Sequence, residues 1–276
     1  MMGGDSEGFT DLHSHLVPGV DDGSRTLDEA RDGLRKLRAV GVRRIVTTPH
    51  LDASLTRDRG ILRARLDEVD VAWSSLREMV GAEFPGLELH RGHEVMLDIP
   101  DPELSDPRLF LAGTSYVLVE WPGLRVPTSN LPVLDRLRKS GVRPIIAHPE
   151  RYRGLDREIQ LPGEWRASGA LLQVNYGSLI GRYGELPRTR AFTLLERGWA
   201  DLMASDFHGR PHLSPSLTEA QEALLEWGGG ENFGLLARVN PTRILRGEST
   251  VSVPPLMIKP GIWQRLREAF QPKGKR

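Results

Sequence analysis

The chain predicts an α/β fold, organised as one domain with a closed or nearly closed barrel of seven parallel strands and helical crossovers. Two observations carry that expectation. First, apolar, β-branched runs of strand length alternate with helix-length segments from residue 8 to about residue 245, with no linker between them. Alternation at such short spacing calls for crossover helices joining parallel strands. Second, the apolar runs stop at a histidine or a carboxylate. FTDLHSH delivers His13 and His15, IVTTPH ends at His50, LELHRGHE at Glu94, YVLVE at Glu120, IIAHPERY supplies His148, and DLMASDFH supplies Asp206 and His208. In a parallel barrel, functional groups collect at the C-terminal strand ends, which is where every one of these residues falls.

Taken in order, the strand containing FTDLHSH is followed by the turn-rich PGVDDGSRT. A helix then runs over 27–40, with Leu27, Ala30, Leu34, Leu37 and Val40 on one face and Gly41 as its stop signal. The β-branched stretch 43–48 reads as a strand, 56–80 as a long helix, and 87–96 and 116–121 as strands. A helix over 131–139, stopped near Gly141, leads to the strand 144–147; helix lies within 155–168, strand over 170–174, helix over 189–197 and strand over 200–204. Beyond Ser216 the pattern turns helical, over 217–227 and 232–239, and NPTRIL followed by Gly-Glu closes a domain spanning 8–248. The extension 249–276 opens with prolines. It continues into IWQRLREAF, where Ile262, Leu266 and Phe270 share one helical face, and ends in the basic KGKR. That segment is expected to pack on the body, with peripheral contact to a partner or membrane surface as the alternative.

Composition narrows the function. The 37 basic and 37 acidic residues cancel, so no field draws the chain toward nucleic acid or a membrane surface. The opening MMGGDSEG has neither a basic start nor an apolar stretch, and no run approaches the ~20 apolar residues of a membrane span, so the expected location is the cytoplasm. With no cysteine, disulfides and thiolate mechanisms are excluded, phosphocysteine chemistry among them.

His13 and His15, two apart on a strand, present both imidazoles to one side. A single such residue is most simply a hydrogen-bonded structural group. A whole set at equivalent strand ends needs a stronger partner for its lost hydration, and divalent cations supply it. Imidazole and carboxylate donors favour Mn, Fe or Zn over thiophilic metals.

DLHSHLVPGVDDGSRTLDEA, TPH, GHEV, VLVEW, IAHPERY and ASDFHGRP occur in that order over residues 9–247. In these motifs the chain resembles the capsular and exopolysaccharide tyrosine-protein phosphatases of the PHP (polymerase and histidinol phosphatase) superfamily. The resemblance implies a distorted (β/α)7 TIM-like barrel holding three divalent metal ions, usually manganese. It also implies hydrolysis of phosphotyrosine on the tail of a bacterial tyrosine autokinase that governs polysaccharide assembly. Carried over position by position, the family's metal ligands fall on His13, His15, Asp22, His50, Glu94, Glu120, His148, Asp206 and His208, and its phosphate-contacting arginines on Arg151 and Arg210. One departure stands out: after TPH the family pattern continues with histidine and a Gly-Tyr stretch, whereas this chain reads LDASLTRD, which bears on the pocket rim.

Clustered divalent ions would neutralise a phosphate dianion, lower the pKa of bound water toward about 7 and provide a bridging hydroxide for attack. Glu94 and Glu120, with Asp206, are the candidate bridging carboxylates. Arg151 and Arg210 would offer forked donors to phosphate oxygens; the plainer reading of Arg151 is a solvated arginine paired with Glu150. A phenol leaves easily, so a general acid is dispensable, with Asp52 or His212 as candidates. Alternation puts His90 on the face of Glu94 and His93 opposite; both are read as structural, His90 as buried. Trp121 is either a wall that stacks a substrate ring or core packing. The rival enzyme is a small-molecule phosphatase of the same superfamily, such as a histidinol-phosphatase. The rival from another class is a silent metal-holding module that docks a partner through its C-terminal helix.

Overall fold

A computed structural model describes residues 8–155 and 160–257 of the chain. Its strands are β1 (Phe9–Asp11), β2 (Val42–Thr47), β3 (His50–Asp52), β4 (Glu88–Arg91), β5 (Glu94–Met96), β6 (Tyr116–Glu120), β7 (Arg143–Ala147), β8 (Leu171–Asn175) and β9 (Leu202–Ala204). All their pairings are parallel, in two sheets ordered β1-β2-β4 and β3-β5-β6-β7-β8-β9.

The seven expected runs become nine strands because the run 87–96 breaks in the middle and the run 43–48 resumes, after a break, as a further strand at 50–52. One breaks at Thr48–Pro49, where proline has no N–H to donate to a ladder. The other breaks at Gly92–His93, where the chain passes so close to Leu111 that a Cβ on Gly92 would sit 2.7 Å from its Cδ2 and 3.0 Å from its Cα. Pairing continues across the two breaks through Gly92 N to Thr47 O (3.0 Å) and Glu94 N to Pro49 O (3.2 Å), which join the sheets. At the other edge, Asp206 N donates to His13 O (2.9 Å) and His15 N to Phe207 O (2.9 Å), so the segments following β1 and β9 meet.

The helices follow the local signals. α1 (Leu27–Ala39) is capped by Thr26, whose hydroxyl accepts from Glu29 N, and buries Ala30, Leu34 and Leu37; Gly41 follows at φ 88°. α2 (Arg59–Glu83) starts three residues later than the apolar pattern suggests. Asp58 accepts from Gly60 N and Ile61 N there, and 53–57 forms a 3₁₀ turn instead. Next come α3 (Asn130–Lys139), α4 (Leu161–Ala167), α5 (Tyr176–Leu179), α6 (Glu185–Glu196) and α7 (Leu217–Glu226). The expected helix over 232–239 is instead α8 (Gly230–Gly234), a π turn over Leu235–Val239 and α9 (Asn240–Leu245). No helix among the described residues is long and apolar enough to cross a membrane.

Most of the strands bury residues of both faces, as parallel sheets under helices require, while β4 is only partly covered. Leu12, Val46, Leu118, Ile145 and Leu202 gather on one side with Tyr116 and Ile244. The alternate residues Ile45, Val117, Val119, Ile146, Leu172 and Met203 join the larger cluster with the helices. After Glu248 the chain lies along the body: Asn240 exchanges hydrogen bonds with Val251, Leu256 N donates to Leu195 O, and Val253 and Leu256 are buried. The face of Ile262, Leu266 and Phe270 and the basic end lie outside the described residues.

The kink at Gly92 makes a direct prediction. Gly92→Ala forces Leu111 or the strand break to shift, so urea unfolding should show a loss of about 1–3 kcal/mol. An unchanged midpoint would mean that this close approach does not constrain the break.

Candidate metal centre

Every expected ligand but Asp22, which sits in the loop between β1 and α1, lies at or just beyond a strand end, and the second contact of each of His13 and His15 aims it inward. His15 Nδ1 is 2.7 Å from Asp21 Oδ2, and His13 Nδ1 is 2.9 Å from Gln173 Oε1. Both partner oxygens only accept, so each Nδ1 carries the proton and each Nε2 presents its lone pair. Those two Nε2 atoms face one another at 3.1 Å. Asp21 also accepts from Gly23 N and His50 N, so one carboxylate sets the turn and two histidines together.

The register brings the rest to the same place. His50 pairs with Glu94 in the β3–β5 ladder, and Glu120 pairs with Met96 one ladder on. Glu94 Oε2 lies 3.2 Å from His13 Nε2, 3.4 Å from His15 Nε2 and 3.2 Å from His50 Nδ1. Its other oxygen is 3.0 Å from His148 Nε2. Asp206 Oδ1 lies 3.4 Å from His13 Nε2 and 3.5 Å from His208 Nδ1, and Asp22 Oδ1 lies 3.4 Å from His50 Nε2 and 3.3 Å from His208 Nε2. Glu120 Oε1 is 3.4 Å from His50 Nδ1.

These atoms fall into four overlapping groups, each compact enough to surround one ion: His15, Asp22, His50 and His208; His13, His15 and Glu94; His13, His148 and Asp206; His50, Glu94 and Glu120. The donor set is imidazole nitrogen and carboxylate oxygen throughout, which fits divalent Mn, Fe or Zn. A sharper sign of fit is Glu94 Oε2, a buried carboxylate oxygen ringed by three imidazoles that satisfies no hydrogen bond.

Electrostatics agree. Burial alone would lower His15, yet its hydrogen bond to Asp21 and the nearby Glu94 carboxylate push it up to about 10. Burial likewise opposes charge on His50, but Asp22 and Glu120 raise it to about 11. Burial would raise Asp206, whereas the His13, His148 and His208 rings draw it down to about 2, and Glu94 is held well below its usual range in the same way. The cluster therefore demands positive charge at its centre. Its backbone is also strained: His148 and Asp206 sit at φ 34° and φ 50°, a conformation costing non-glycine residues about 1–3 kcal/mol each.

A pocket of about 200 Å³ opens over the cluster, bounded by Leu124 and Arg151 as well as by the ligands. Arg151 donates through Nη1 to Asp206 Oδ2 (2.7 Å), and its guanidinium lies 4.3 Å over the Tyr183 ring. Among the described residues its Nε and Nη2 have no protein hydrogen-bond partner, so a residue that lines the pocket keeps two donors unspent. The expected pairing with Glu150 does not occur: Glu150 is fully buried and accepts from Ser178 Oγ (2.6 Å) and Asn175 N (3.0 Å). Arg210, the other expected phosphate contact, does not line this pocket; its Nε and Nη2 both donate to Asp22 O, and its Nη1 lies 3.8 Å from Glu29 Oε2.

Other expectations change. Trp121 is 1% exposed, packed in the core beside Leu97 and Val126, and takes no part in the pocket over the ligands. His90 is half-buried rather than buried, facing Glu88 in an outer cleft with Trp73, because the break at Gly92 ends the alternation that would have linked it to Glu94. His93 is buried, bonds Arg108 O (3.0 Å) and is lowered by that burial to about 4. His212 is exposed, and Asp52 lines a neighbouring cavity.

Four contributors escape the sequence reading: Asp21, Gln173, Asn175 and Tyr183. Gln173 and Asn175 carried a signal, being polar in the buried strand LLQVN. They form a string in which Gln173 holds His13, Gln173 Nε2 donates to Asn175 Oδ1, and Asn175 Nδ2 donates to Asp206 Oδ2.

Chelation should lower the melting temperature and metal addition restore it, because ions that bind only the folded state stabilise it by about 3–4 kcal/mol at 100–1,000 times Kd. Asp21→Asn, which keeps the ligands but weakens the orientation of His15, should loosen metal retention by about 10–100-fold in a chelator competition. Equal retention would mean that Asp21 does not serve the metal.

Comparison with known proteins places this geometry. A family model described as capsular polysaccharide synthesis, CpsB/CapC, matches residues 9–246. Among curated relatives, the tyrosine-protein phosphatase YwqE of Bacillus subtilis is 29% identical over 90% of this chain and 96% of its own. The putative tyrosine-protein phosphatase CapC of Staphylococcus aureus is 28% identical over 72% of this chain and 77% of its own. A solved structure from work on YwqE of Bacillus subtilis and CpsB of Streptococcus pneumoniae, described as metal-dependent tyrosine phosphatases, superposes with a TM-score of 0.73 at 26% identity, covering 91% of this chain and 99% of that one. The match spans both sheets and all nine candidate ligand positions, and this chain belongs to the CpsB/CapC family of capsular polysaccharide synthesis.

Proposed function

We propose that this protein is a metal-dependent protein-tyrosine phosphatase of capsule or exopolysaccharide synthesis, acting in the cytoplasm on the phosphorylated tail of a bacterial tyrosine autokinase. The observation that carries the reading is a single pocket holding both the convergent ligand cluster and the two unspent donors of Arg151. Three divalent ions, manganese foremost, are the proposed occupants, shared among His13, His15, Asp22, His50, Glu94, Glu120, His148, Asp206 and His208. When bound, they would neutralise the phosphate dianion and acidify water.

The chain's own part is orientation. Arg151 would hold two non-bridging phosphate oxygens with Nε and Nη2, in a forked geometry that lysine cannot reproduce. Asp206 fixes its remaining nitrogen and Tyr183 supports its plane, so little side-chain freedom is lost when phosphate arrives. Arg210 would contact phosphate by exchanging its hydrogen bond to Asp22 O. Phenol, with a pKa of about 10, needs little protonation as it departs, in keeping with a pocket whose only lining carboxyls are ligand candidates. The fold that holds these groups is proposed as one distorted seven-stranded barrel over 8–248. The bonds bridging the strand breaks and those joining the ends of β1 and β9 support that reading.

Metal-stripped protein restored with Mn should hydrolyse a phosphotyrosine peptide, and His148→Ala should abolish turnover. Arg151→Lys should lower kcat/KM by about 100-fold, the order expected for losing an oriented donor to the reacting phosphate. Preference for histidinol phosphate would move the protein to small-molecule metabolism, and turnover of neither would remove the enzyme assignment.

Tyr183 gives a separate check on Arg151. Tyr183→Phe keeps the ring and should keep kcat, while Tyr183→Leu should lower it several-fold, consistent with a half-buried cation–π contact of about 1–2 kcal/mol. Equal activity in the two variants would leave the stack without a role in turnover.

A further inference from the structure

A second cavity, of about 300 Å³, adjoins the metal pocket and shares Asp22 and His50 with it. Its remaining walls are Val20, Leu51 and Leu55, with Arg65 from α2 and the Asp21–Asp52 edge. Most of its polar groups are already engaged. Asp21 is taken by His15, His50 N and Gly23 N, and Arg65 donates to Val20 O and Glu68. What the cavity offers a ligand is aliphatic surface, with the Asp52 carboxylate at its exposed edge.

That surface is preformed. Leu55 rides on the 3₁₀ turn over Ala53–Arg57, which is tied to the segment 98–103 by Ser54 N to Asp98 Oδ1 (2.8 Å), Glu103 N to Thr56 Oγ1 (3.1 Å) and Arg57 to Asp101. This is the LDASLTRD stretch in which the sequence departs from the family pattern, so Leu55 stands in the part of the wall where that departure falls.

We propose that this cavity receives the aromatic ring of the phosphotyrosine, and that Leu55, with Val20, determines specificity for aryl over alkyl phosphate esters. The inference rests on the phosphatase reading and says what recognises the leaving group. Asp22 and His50 line both cavities, so the leaving group of a phosphate ester held in the metal pocket can extend from its ester oxygen past them. A planar ring continuing from that oxygen covers Val20 and Leu55, whereas a short alkyl group leaves them wet. An acidic substituent would meet Asp22 and Asp52, so the site also disfavours anionic leaving groups. Small apolar sites lined this way discriminate by the surface they dry.

Direct binding tests this without turnover. Benzylphosphonate and ethylphosphonate, which are not hydrolysed, are titrated calorimetrically into the Mn-restored full chain and its Leu55→Ser and Leu124→Ser variants. Wild type should bind the benzyl compound at least about tenfold more tightly than the ethyl compound. Leu55→Ser should shrink that ratio by about fivefold or more with little change for ethylphosphonate, and Leu124→Ser should leave it in place. A ratio unchanged in Leu55→Ser overturns the proposal, as does a ratio that collapses in Leu124→Ser, which would put the ring on the opposite wall. Because the readout is affinity, a protein that discriminates in this way yet hydrolyses no phosphotyrosine peptide would count against the phosphatase reading while leaving the ring site standing.

Discussion

The rest of the structure answers to one constraint, the buried negative charge gathered around Glu94 and Asp206. Two fully or nearly buried carboxylates, with Asp22 and Glu120 at the margin, share a space from which water is largely excluded. Burial of that kind costs several kcal/mol per ion unless countered. Five imidazoles and one guanidinium surround these carboxylates, and the inward-facing nitrogens of His13 and His15 are chosen by partners on their far sides. Asp21 for His15 and Gln173 for His13 are thus as much a part of the centre as the ligands.

The fold bends to meet this demand. Regular strands would carry His50 and Glu94 out along their ladders; the interruptions at Pro49 and Gly92 let these two residues restart pairing in register beside each other. His148 and Asp206 turn into the left-handed region directly after β7 and β9, which points them inward rather than along the strand axis. Local departures of this sort persist only where surrounding contacts over-determine them, and here those contacts are Arg151, Asn175 and the β1 segment.

How much of this could be read from sequence follows from the range of each signal. Apolar runs and their terminal residues are local, so the parallel strands and the positions of His13, His15, His50, Glu94, Glu120, His148, Asp206 and His208 were legible. α1 was legible for the same reason, through Thr26, its amphipathic face and Gly41. Helix 59–83 was misplaced at its start because Asp58 outcompetes the apolar pattern as a cap. The choice between Asp21 and Asp22 in PGVDDG is not local: adjacent side chains diverge, one toward His15 and one toward His50 and His208, and only the tertiary turn separates their jobs. Tyr183 was invisible because nothing in GRYG announces an arginine about thirty residues upstream. His90 was placed by strand alternation, which fails once a strand is broken, and the two readings of Trp121 could be separated only by its packing in the core.

The seam between the beginning and the end of the domain has a consequence for how the protein comes into being. Its hydrogen bonds run from His13 O and His15 N to Asp206 N and Phe207 O, joining residues nearly two hundred positions apart through the backbones of the ligands themselves. Contacts of such separation form late, after the loop-closure cost of everything between has been met. A nascent chain that has reached only His148 holds histidines but no enclosed centre. Ion capture therefore belongs to the final step of folding, and metal selection is made by a nearly finished protein rather than by an emerging one.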